Sequence, residues 1–162
     1  MANSIRIELS DRSITNAIKE LRRYKAWVVQ KEAELRSRLA ILGATVASIQ
    51  FSRAIYNGSN DISVRVDDTG SVAVIYAEGE TVAFIEFGAG ATYGYGHPQA
   101  GEFGVGPGTY PDGKGHWDDP KGWWYGSSQH TYGNPPAMGM YTAVKEITEN
   151  VTRVAREVFA EV

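Results

Sequence analysis

Few residues in this 162-residue chain are equipped to do chemistry, and most of them lie between Glu86 and His130. Glu86 stands alone in a dense apolar run, Val82-Ala-Phe-Ile-Glu-Phe-Gly-Ala-Gly90. A carboxylate in apolar surroundings is a candidate general acid or base, because burial disfavours its charged form. All three histidines follow, His97, His116 and His130, together with Asp112, Asp118 and Asp119. Imidazole and carboxylate are metal ligands and proton carriers, but no His-x-x-x-His or His-Glu-x-x-His spacing fixes a geometry for them. Repeated Gly-x-Gly steps between Gly88 and Gly115 invite a phosphate-loop reading. No Lys-Ser/Thr ending and no following helix support it. Trp117, Trp123 and Trp124 are flat surfaces on which sugars or bases stack, yet the charge around them is acidic, unlike the basic grooves of stacking platforms for nucleic acid. Glu86 therefore reads as a strand residue paired with an arginine or a backbone amide. The chain reads as a non-enzyme without catalytic residues, metal or cofactor.

Bulk properties narrow the class further. The length fits one domain, residues 1–162, and 43% apolar content is ordinary for a globular protein. Cysteine is absent, which excludes disulfides and thiolate chemistry. No apolar run reaches the ~18 residues that a membrane span needs, and the first residues lack the pattern of a secretory signal. The net charge of −3 is small but unevenly spread. Eight Lys/Arg face three Glu between Arg12 and Arg38, whereas two face ten Asp/Glu between Ala54 and Asp119. A basic helix beside an acidic body is a solvated surface or a pair of complementary contact faces.

The elements that position these groups follow from periodicity. Ile5, Ile7 and Leu9 alternate as a short strand. Ser10 offers N-cap chemistry to a helix over 11–42, where Ile14, Leu21, Val28, Leu35 and Leu42 recur every seventh residue and Gly43 supplies a stop. Such a helix is roughly 45 Å long at about 1.5 Å per residue, so one end overhangs the core or meets a partner. Residues 44–56 fit either period and are read as strand, because the turn signal Asn57-Gly58 follows. Alternation at Ile62–Val66, at Val72–Tyr76 and over Val82–Phe87 then makes an antiparallel β-meander across 44–90. Asn134-Pro135-Pro136 introduces a C-terminal helix over 137–160. The fold class is α+β, with the meander packed on the long helix and the C-terminal one.

Between them, residues 91–133 hold nine aromatics, eleven of the eighteen glycines and four of the six prolines. So many aromatics exclude disorder and predict an ordered loop that folds on its own domain or on a neighbouring copy. A set of aromatics and methionines, together with the lone Glu86, supplies candidate contact residues for a neighbouring copy or partner. They are Tyr24, Trp27, Glu86, Phe87, Trp117, Trp123, Trp124, Tyr125, Tyr132, Met138 and Met140.

Several blocks together resemble the bacteriophage tail-component and neck proteins, which join head to tail and complete the tail. They are Tyr56-Asn-Gly-Ser-Asn-Asp-Ile62, Ala83-Phe-Ile-Glu-Phe-Gly-Ala-Gly90, Gly122-Trp-Trp-Tyr125 and Thr131-Tyr-Gly-Asn-Pro-Pro-Ala-Met-Gly-Met-Tyr141, followed by an amphipathic helix. The resemblance covers roughly residues 12–160. It implies a structural virion protein at the neck or tail end, made in the host cytoplasm and forming a homo-oligomeric ring, most often a hexamer. Its partners would be itself, other neck, connector or tail-tube proteins, and genomic DNA passing through the lumen without sequence-specific binding. A tail-terminator ring is the alternative within that class, and a glycan-binding module using the tryptophan loop is the alternative outside it. The family supplies no catalytic residues to carry over.

Overall fold

The computed structural model describes residues 10–54, 60–90, 92–93, 96–105, 119–125 and 128–160. The expected strand at residues 4–9, the Asn57-Gly58 turn and Trp117 lie outside them. The order is α1 (Asp11–Ser52), β1 (Ser63–Asp67), β2 (Val74–Glu78), α2 (Val82–Phe87), β3 (Trp123–Tyr125), β4 (Gln129–Thr131) and α3 (Gly139–Ala160). The class is α+β, as the periodicity indicates.

Helix α1 starts where the sequence places it. The Ser10 hydroxyl accepts from the Ser13 amide, satisfying one of the unpaired first-turn donors. It does not stop at Gly43. It runs on through the residues read as strand to Ser52, which makes it roughly 63 Å long at about 1.5 Å per residue. The reason is tertiary. A Cβ at position 43 would lie 2.5 Å from the Ile147 tip and 2.7 Å from the Ile75 tip. Gly43 is therefore the point of closest approach between α1, α3 and β2. That packing outweighs the roughly 1 kcal/mol that glycine costs a helix interior. Ala47 and Phe51, one and two turns further on, are buried on the same face.

Helix α3 packs antiparallel on α1. Gly139 lies against Phe51, Gly43 against Ile147, and Trp27 meets Phe159 edge-on at 5.7 Å. Strands β1 and β2 form an antiparallel hairpin in register Val64↔Ala77 and Val66↔Ile75, resting on α1. Arg36 on α1 donates to Asp68 at 2.8 Å just past β1, and its guanidinium holds that carboxyl below the usual range. The core cluster of Ala47, Phe51, Ile85, Ala89 and Ala143 sits where the C-terminal end of α1, α2 and the start of α3 converge.

The third strand of the expected meander is a helix. Val82–Phe87 is six residues long, and in so short an apolar run the period does not separate strand from helix. Neighbours Ile85 and Glu86 are both buried. A strand would send one of them to each face, whereas a helical turn directs Ile85 into the core and Glu86 toward α3. The loop expected over 91–133 also contains structure, the antiparallel hairpin β3–β4.

Replacing Gly43 with leucine is expected to lower the unfolding free energy by about 1–3 kcal/mol through overpacking. Urea denaturation followed by circular dichroism reads the change; an unchanged midpoint would contradict the close packing of α1, α3 and β2.

Candidate functional site

Two of the sequence blocks singled out above are joined to each other. Residues 84–90 and 131–141 meet through an antiparallel bridge, in which Ala89 and Asn134 exchange backbone hydrogen bonds at 3.0 and 3.1 Å. The Asn134 side-chain amide donates to the Phe84 carbonyl at 3.0 Å. The Ala137 amide donates to the Ile85 carbonyl at 2.7 Å and the Met138 amide to the Glu86 carbonyl at 3.2 Å. Three of the last four carbonyls of α2, which lack a partner within so short a helix, are thus taken up by the 134–138 segment. The crossing is so close that two glycines are obligatory. Gly90 has φ +86° and a Cβ there would stand 2.2 Å from the Tyr132 carbonyl oxygen. Gly133 has φ +113° and is backed onto Ala89 in the same way. Neither the conformation nor the space admits a side chain.

Glu86 returns the favour to α3. Its Oε2 accepts from the Met140 amide and its Oε1 from the Tyr141 amide, both at 3.0 Å. The carboxylate caps the first turn of α3 from 54 residues away, where negative charge also suits the positive end of the helix dipole. Glu86 is 6% exposed.

His97 completes the arrangement and is equally buried. The Gln99 amide donates to its Nδ1 at 3.1 Å. An amide can only donate, so Nδ1 is the acceptor and the neutral ring carries its proton on Nε2, which faces Glu86 Oε1 at 3.4 Å. The ring is enclosed by Phe87 at 4.5 Å and by the edge of Tyr141 at 5.4 Å. An acid–base pair does therefore converge, beside a cavity of about 370 Å³ lined by Ala77, Val82, Phe87, Phe103, Met140 and Val144 among others. Both carboxylate oxygens and both ring nitrogens are already engaged within the fold.

The candidate contact residues divide into two groups. Glu86 is internal, and Trp123 and Met140 are half-buried and pack against the core. Phe87 is half-buried between His97 and Phe103. Met138 is half-buried at φ +53°, in the tight turn that leads into α3. Trp124 and Tyr132 are exposed, and both stand edge-on to His130, at 4.9 and 4.8 Å, in one aromatic row. Tyr24 is exposed and stacks on half-buried Trp27 at 5.6 Å. For Tyr125 only the backbone, in β3, is described. Because Trp123 is in the core and Gly133 in the crossing, deleting the whole 91–133 segment would break the fold rather than probe a contact.

Among the described residues no group of three or more His, Asp or Glu side chains could hold a metal ion. His130 lies in the aromatic row and His97 against Glu86, so the two described histidines belong to different surroundings. His116, Asp112 and Asp118 lie outside the described residues. No described helix is long and apolar enough to cross a membrane.

Glu86→Gln leaves one carbonyl oxygen for two amides and removes the charge. It is expected to destabilise the fold by about 1–2 kcal/mol, the range for loss of a helix cap. Hydrogen exchange should quicken first at the Met140 and Tyr141 amides; unchanged protection there would show that Glu86 does not hold the start of α3. Compared with known proteins, the chain matches no family model, no curated protein and no solved structure.

Proposed function

We propose that this chain is a structural subunit that assembles with copies of itself into a ring, of the kind that joins head to tail or completes the tail in tailed bacteriophages and related particles. One observation carries the reading. Helix α3 gives out opposite Trp27, so residues 11–26 of α1 project beyond it by roughly 24 Å at about 1.5 Å per residue. The projecting part carries Ile14, Ile18, Leu21 and Tyr24 on one side, between 43% and 57% exposed. A contiguous apolar stripe on a projecting helix is characteristic of a contact surface.

The interior chemistry supports the same reading. A catalytic pair must present a free atom to its substrate. The hydrogen bonds of Glu86 and His97 run inward, to the backbone and to each other. We therefore propose a positioning role for the pair and no reaction. Within the ring, the acidic side of the β1–β2 hairpin and its turns (Asp61, Asp67, Asp68) is our candidate for the lumen, since negative charge lets DNA pass without adhering. A ring structure with a neutral or basic lumen would end that assignment.

Native mass spectrometry and negative-stain microscopy test the proposal. The expected outcome is one closed species of defined copy number, with six copies the first expectation. A chain that stays monomeric at every concentration sinks the reading.

A second reading rests on the Trp124–His130–Tyr132 row, which is a stacking surface for sugar rings. Binding on a glycan array that disappears with Trp124→Ala would favour it. Trp124 is 62% exposed and can be removed without touching the core, which is not true of Trp123.

A further inference from the structure

The cavity beside Glu86 is open and mostly apolar. Its outer wall is formed by Val144, 62% exposed, and Phe103, equally exposed, with Val82, Ala83 and Phe87 across from them. The polar atoms of Glu86 and His97 on its inner side are engaged within the fold, and two carboxylates stand next to its lining residues. Glu80 lies two residues before Val82 and makes no ion pair among the described residues. Glu102 precedes Phe103 and accepts from Gln99, which also lines the cavity, at 3.2 Å. The nearby base on α3, Lys145, is drawn toward Glu149 at 3.9 Å.

The projecting end of α1 is the inverse. Its apolar stripe is flanked by Arg12, Lys19, Arg22, Arg23 and Lys25, none of which makes an ion pair among the described residues. Further along the same helix the bases are engaged: Lys31 and Arg38 with Glu34, and Arg36 with Asp68. Among the described residues, cations without an ion pair are thus concentrated around a largely exposed apolar stripe, in which Ala17 is buried, and Glu80 and Glu102 stand beside an exposed apolar groove.

The two patches cannot meet within one molecule. Ile147 of α3 lies against Gly43, so Val144 stands near Val46, 25 residues along α1 from Leu21. At about 1.5 Å per residue that is roughly 38 Å of rigid helix. Two projecting ends do not suit each other either, because pairing them would set base against base.

We infer that the projecting α1 of one copy, through Ile14, Ile18, Leu21 and Tyr24, seats in the Val82–Phe103–Val144 groove of the next copy. The occupant of the groove is a second copy of this chain. The contact is head-to-tail, joining two different patches, and this is the only kind of interface that closes rings of more than two subunits or extends into a filament. The inference rests on the ring-assembly reading and adds which surfaces make the joint.

The test is a complementation experiment on the full chain. Leu21→Asp disables the helix and leaves the groove intact. Val144→Lys disables the groove and leaves the helix intact. Both positions are exposed, and circular dichroism should match that of the unaltered chain; Ile18→Asp and Phe103→Lys are the substitutes if either variant fails to fold. In native mass spectrometry each variant alone is expected to be monomeric. An equimolar mixture should give a one-to-one dimer and nothing larger, because one good helix meets one good groove. If either variant alone still assembles like the unaltered chain, or if the mixture stays monomeric, the joint is elsewhere and the inference falls while ring assembly stands. If the unaltered chain does not assemble, both fall together.

Discussion

The crossing of residues 84–90 over residues 131–141 is the constraint on which the rest of this structure depends. Two helices end there, and each supplies what the other lacks. α2 is too short to satisfy its own carbonyls, and three of them are taken up by Asn134, Ala137 and Met138. α3 begins without a local side-chain cap, and the Glu86 carboxylate takes its Met140 and Tyr141 amides. A buried carboxylate is costly unless fully hydrogen-bonded. Here the bonds that make burial tolerable are also the bonds that start the last helix. Breaking either partner would strand buried polar groups on the other.

This arrangement fixes the direction of α3, and α3 fixes the rest. Once its first turn is pinned over Phe51, its apolar positions descend along α1 past Gly43 to Trp27. The β1–β2 hairpin rests on α1, with the Ile75 tip meeting the same glycine. The groove is a by-product of the same geometry. Its inner wall is the α2–α3 junction, and its outer wall is whatever α3 and the 97–105 segment present beyond it. A rigid internal crossing and a shaped external surface are therefore one feature viewed from two sides.

Much of this was legible in the sequence, and the failures share one cause. The start of α1, the α+β class, the two hairpin strands and α3 follow from local signals: a serine cap, heptad spacing, alternation and a proline-bounded start. The errors fall where a distant partner overrides a local signal. Gly43 is a sound stop signal alone, but Ile75 and Ile147 need its missing side chain. Val82–Phe87 is rich in residues that favour strands, yet its carbonyls and Glu86 find their partners 50 or more residues away, which only a helical turn can present together. The lone carboxylate in that run was recognisable as a partner for an arginine or a backbone amide; that the amides belong to α3 was not. The pairing of His97 with Glu86 has no spacing signature, because it depends on how the 91–105 segment folds back.

The division of α1 into two halves follows from these observations. From Trp27 to Ser52 the helix is covered by α3 and the β1–β2 hairpin, its bases at 31, 36 and 38 are neutralised, and the core is built on it. From Asp11 to Ala26 the heptad spacing and the bases continue, α3 and the β1–β2 hairpin stop, and Ile14, Ile18, Leu21 and Tyr24 are exposed although Ala17 among them is buried. Side chains at Ile14, Ile18 and Leu21 contribute little to a monomer while exposed, and they cost it solubility. The extra length gives reach: it carries an apolar, basic surface beyond the end of α3, on a scaffold stiff enough to hold its orientation.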